Sequence, residues 1–90
     1  NPNPLYDALI SAEPRTVANA SMSQINALQV WLEHKPADGM VGLALAFIEL
    51  CERYGLEPQD VATVAKNLRY DEANTHPELR AVRRFMRHEL

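Results

Sequence analysis

Ninety residues, 47% apolar and 23% charged with a net charge of −3, describe one small globular domain over residues 1–90. They leave no room for a second domain and lack the charge-rich, aromatic-poor signature of a disordered chain. A single cysteine, Cys51, excludes an internal disulfide and a cysteine-based zinc site, and a reducing, cytoplasmic setting is the expectation.

Helical periodicity runs from end to end, with no repeat, low-complexity tract or strand-like alternation, so the expected fold class is all-α: a small bundle of four to five short helices. The opening NPNPLYD lacks the basic start and apolar run of a secretory signal, and none is expected there. PLYDALISA places Leu5, Ala8, Leu9 and Ala12 at helical spacing, which predicts a first helix over 4–12 stopped by Pro14. Ser21 and Gln24 are spaced as a capping box, predicting a second helix over 22–34 that carries Ile25, Leu28 and Leu32 as its stripe, with Trp31 beside it.

KPADG then ends that helix, and Asp38 is the expected N-cap of a third over 39–54. Met40, Leu43, Ala44, Phe47, Ile48, Cys51 and Tyr54 recur at 3.6-residue spacing, and Val41, Leu45 and Leu50 widen the face until only a narrow polar strip is left. The apolar run from Met40 to Ile48 is about half the length that spans a bilayer, so the expectation is a central, buried core helix.

Gly55 stands where a helix ends in a left-handed residue, and Leu56-Glu57-Pro58 opens a fourth helix over 58–69 with Pro at its first position. Leu56 and Val61 are spaced as a hydrophobic staple, and Val61, Val64, Ala65 and Leu68 form the buried stripe. Thr75 and Glu78 repeat the capping-box spacing before a fifth helix over 76–89, with Leu79, Val82, Met86 and Leu90 on its apolar side.

No catalytic constellation emerges. His34, His76 and His88 are scattered without metal-pair spacing, Cys51 lies within an apolar stripe where a thiol is normally inert, and no glycine-rich phosphate loop is present. The expectation is therefore a protein that is not an enzyme and uses no cofactor or metal.

Charge, by contrast, is polarised. Residues 1–64 carry Arg15, Lys35 and Arg53 against eight acids, a net −5, and residues 65–90 are net +2. Arg80, Arg83, Arg84 and Arg87 recur at i, i+3, i+4 and i+7 and share one face of the last helix. That stripe reads either as a solvated face that complements the helix dipole or as a partner-binding stripe, since guanidinium forks grip carboxylates and phosphates.

Against a DNA reader stands the poor choice of reading helix. One starting at Gly55 would lead with Glu57 and Asp60, and one starting near Thr75 would lead with His76, Pro77 and Glu78. Nucleic-acid binding through the arginine stripe is kept as the alternative to a protein partner, which the acidic remainder of the chain favours.

The run AFIELCERYGLEPQDVATVA, Ala46 to Ala65, resembles the central segment of the late-transcription coactivators of large tailed phages. The matching positions are Cys51, Glu52, Gly55, Leu56, Glu57, Pro58, Val61 and Ala62, in an apolar helix ending in a Cys-Glu pair, a turn, and a Val-Ala helix. The resemblance implies docking of the helix pair on the flap of a host RNA polymerase β subunit. That family's acidic-apolar clamp-binding C-terminus has no counterpart in RRFMRHEL, which is basic. The reading is a non-enzymatic interaction module, a phage or bacterial transcription regulator that binds RNA polymerase or a similar protein, and a homodimer would complete the burial of so apolar a third helix.

Overall fold

The computed structural model describes residues 3–70 and 77–89. Among them are five helices and no strand: α1 (Pro4–Ile10), α2 (Pro14–His34), α3 (Pro36–Arg53), α4 (Pro58–Tyr70) and α5 (Pro77–His88). The all-α expectation holds. The Thr75–Glu78 cap and Leu90 involve positions outside the described residues.

Every helix begins at a proline. Proline has no amide hydrogen and a fixed φ, so it loses nothing at the first helical position, while its ring pushes the preceding residue out of the helical region. Two expected helix starts are corrected on this ground. α2 starts at Pro14, with extended Glu13 (φ −81°, ψ 126°) before it, so Ser21 and Gln24 lie mid-helix and the Gln24 Nε2 donates to the Ala20 carbonyl. α3 starts at Pro36, with Lys35 (φ −141°, ψ 70°) as the single non-helical residue after α2, and Asp38 falls in its first turn instead of capping it.

The 21-residue α2 is the hub, packing α3 along one part of its surface and α5 along another, while α4 leans on α1 and α3. Gly39 lets α2 and α3 close up, because a Cβ there would stand 2.8 Å from the Trp31 Cβ. The α3–α4 corner is a Schellman turn: Gly55 takes φ +71°, the Leu56 amide donates to the Cys51 carbonyl at 2.8 Å, and the Gly55 amide donates to the Glu52 carbonyl at 3.2 Å. Cys51 is buried beneath this turn, and Leu56 and Val61 are both half-buried at the entry to α4.

Asn3 fastens α1 to the same corner. Its Oδ1 accepts from the Leu5 amide as the α1 N-cap, and its Nδ2 donates to the carbonyls of Tyr54 (3.0 Å) and Gly55 (3.1 Å). Beside it the Tyr6 hydroxyl accepts from the Glu57 amide at 3.2 Å.

The expected buried central helix is not what α3 becomes. Met40, Val41, Leu45, Ile48 and Leu50 are 57%, 68%, 58%, 48% and 58% exposed, and Phe47 is only half-buried. Among the described residues, the buried apolar side chains are Ala18 and Cys51 alone. The physical reason is layer count. The molecule is 43 × 32 × 17 Å, and helices are ~10–12 Å across with side chains, so its short dimension cannot enclose α3 on all sides.

Candidate functional site: an apolar groove and an arginine face

α2 and α3 wall an open groove of about 660 Å³. From α2 come Gln24, Ala27, Leu28 and Trp31, spaced i, i+3, i+4, i+7; from α3 come Gly39, Gly42, Leu43 and Ala46, spaced the same way, with Asp38 at the rim. The lining is almost wholly apolar and mixes small residues with the large Leu28, Trp31 and Leu43. Gly42 is notable because a Cβ built on it would meet nothing within 4 Å, so no neighbour in the chain requires its smallness. No charged residue occurs from Thr16 to Leu32 or from Gly39 to Ile48, although much of both stretches is exposed.

Elsewhere around α3, Val41, Leu45 and Ile48 form a second exposed stripe at i, i+4, i+7. At 100° per residue it lies well round the helix from Gly42 and Ala46, so α3 carries a ridge as well as one wall of a groove.

The four arginines singled out from the sequence do not share one fate. Arg80, Arg84 and Arg87 are exposed, whereas Arg83 is half-buried and its Nη2 donates to the Arg69 carbonyl at 3.1 Å. Arg83 therefore satisfies a carbonyl in the last turn of α4, where a cation also meets the negative end of the helix dipole. Helix geometry explains the split: Arg83 follows Val82 by 100° and stays at the edge of the packed side, while Arg80, Arg84 and Arg87 cluster farther round. The packed side of α5 comprises Leu79, Val82 and Phe85, half-buried, with Met86 40% exposed.

Arg80 and Arg83 line a smaller cleft of about 310 Å³ where α2, α4 and α5 meet, and Arg69 lines it with them. Arg69 was not visible as a member of the basic cluster, because it belongs to a different helix and only the packing of α5 brings it there. In α4, half-buried Ala62 joins Val61, Val64 and Leu68, while Ala65 is exposed beside the cleft.

Among the described residues no group of three or more His, Cys, Asp or Glu side chains could hold a metal ion, and no helix is long and apolar enough to cross a membrane. Comparison with protein-family models, with curated proteins and with solved structures returned no match. The fold and surface define the chain as a small all-helical domain with an uncovered apolar helix.

Proposed function

We propose that this protein is a small, non-enzymatic interaction module that works by binding another protein. The observation that carries the reading is the ridge of Val41, Leu45 and Ile48, 68%, 58% and 48% exposed along one stripe of α3. Apolar surface in water costs ~25 cal/mol per Å², and a continuous helical stripe of it marks a place where another polypeptide docks. In its specific form the module is a phage or bacterial transcription regulator that docks on RNA polymerase. The resemblance to late-transcription coactivators falls on the α3–α4 corner, and what carries over from it is docking by this helix pair through its unpaired apolar positions. The free thiol of Cys51 fits a cytoplasmic setting.

Immobilised bacterial RNA polymerase tests this directly. The wild-type protein is expected to bind, Val41→Asp with Ile48→Asp to weaken binding by more than about tenfold, and Arg84→Ala with Arg87→Ala to change it little. Binding unaffected by the α3 pair would remove the ridge as the docking surface, and no binding at all would remove polymerase as the partner.

The exposure of Arg80, Arg84 and Arg87 on one face favours a second reading, a nucleic-acid-binding helical domain. Its signature is a salt-dependent shift of labelled duplex DNA or RNA that those three substitutions to Ala abolish.

A further inference from the structure

We infer that the α2–α3 groove is covered by a second copy of this chain, related by a two-fold axis, so that two α2–α3 helix pairs close a four-helix core. The inference shares with the interaction-module reading the premise that α3 is covered in use, and it names the occupant of the groove.

The first support is area. A compact chain of 10.2 kDa exposes roughly 5,300 Å² by the usual scaling of surface with mass, and this one exposes 7178 Å². The excess, about 1,900 Å², is summed over the whole chain, and the exposed apolar residues of α3 contribute to it; an obligate homodimer interface takes on the order of 1,000 Å² or more from each partner, which a chain with this much uncovered surface can supply. The radius of gyration agrees, at 14.1 Å against about 12 Å for a compact chain of this length.

The second support is charge. A two-fold axis sets residue i against residue j of the copy and j against i, and only residues on the axis meet themselves, so a face without charge pairs with its own copy with no like-charge contact to offset, wherever the axis falls. Thr16 to Leu32 and Gly39 to Ile48 carry none, and Asp38 sits at the end of the groove, away from its middle.

Shape is the third. An isologous interface must hold knobs and holes on one surface, and here the large Trp31 (50% exposed) and Leu43 (36% exposed) line the same groove as the small Ala27, Gly42 and Ala46. Gly42 weakens the middle of α3 and serves no contact within the chain, and the close approach of a second helix gives it a use.

Sedimentation equilibrium of the full chain tests the proposal, with Gly42→Gln and Ala46→Glu as variants. Both side chains enter the open groove, so helix content by circular dichroism should be kept in the monomer. The wild type is expected to sediment at twice 10.2 kDa at about 50 µM, and each variant to raise the dimer dissociation constant by about 100-fold or more. A wild type that sediments as a single chain at that concentration overturns the proposal whatever the variants do. So does a wild-type assembly that both variants leave intact. Polymerase binding is read separately, through Val41 and Ile48, so a monomer that still binds polymerase sinks the dimer alone, and a dimer that binds none sinks only the docking reading.

Discussion

Gly39, Gly42 and Gly55 are the chain's three glycines, and each answers to a different constraint. Gly55 is held at φ +71°, where a Cβ costs about 1–2 kcal/mol. Gly39 is where α2 presses on α3, and Gly39→Ala forces the helices apart against Trp31, with an expected loss of about 1–3 kcal/mol in urea unfolding. Gly42→Ala should have the opposite sign under monomeric conditions, a gain of about 0.5–1 kcal/mol from helix propensity, because nothing lies within 4 Å of the added methyl. Asn3 is a comparable single point of attachment: Asn3→Ala removes the α1 cap and both bonds to the α3–α4 corner together, and should cost about 1–2 kcal/mol by the same measurement.

At the level of elements, the prolines were the most informative local signal and were half read. Pro58 announced α4 from its place after Gly55, whereas Pro14 and Pro36 looked like terminators because each follows a helical stretch closely. A proline marks the boundary in either case, and only a view of both sides shows that a new helix begins at it. The arginine stripe was legible as a spacing but not as a set of roles, since one of its members turned towards α4. Arg83→Ala should lower stability by about 1 kcal/mol in thermal or urea unfolding through the lost bond to the Arg69 carbonyl, while Arg84→Ala should leave it within about 0.5 kcal/mol.

For the whole molecule, the decisive quantity is how little is buried. With Ala18 and Cys51 as its buried apolar side chains among the described residues, a single chain holds a thin core, and most of its stability has to come from half-buried stripes. Association should then show in unfolding. The thermal midpoint of the wild type is expected to rise by several degrees between about 2 µM and about 200 µM protein, and that of Gly42→Gln to stay constant. Differential scanning fluorimetry over that range would read it.

Sequence alone determined what depends on near neighbours. The helical class follows from 3.6-residue spacing, the α3–α4 corner from Gly55 and Pro58, and the apolar character of α3 from its composition. Which side of α3 meets the rest of the chain was decided only by the tertiary structure. A helix that is apolar nearly all round carries no contrast from which to read an inner and an outer face, so its apolarity was equally compatible with the middle of a core and with an uncovered edge. The flat packing of α2 between α3 and α5 settled the matter, leaving α3 on the outside with the groove and the ridge in water.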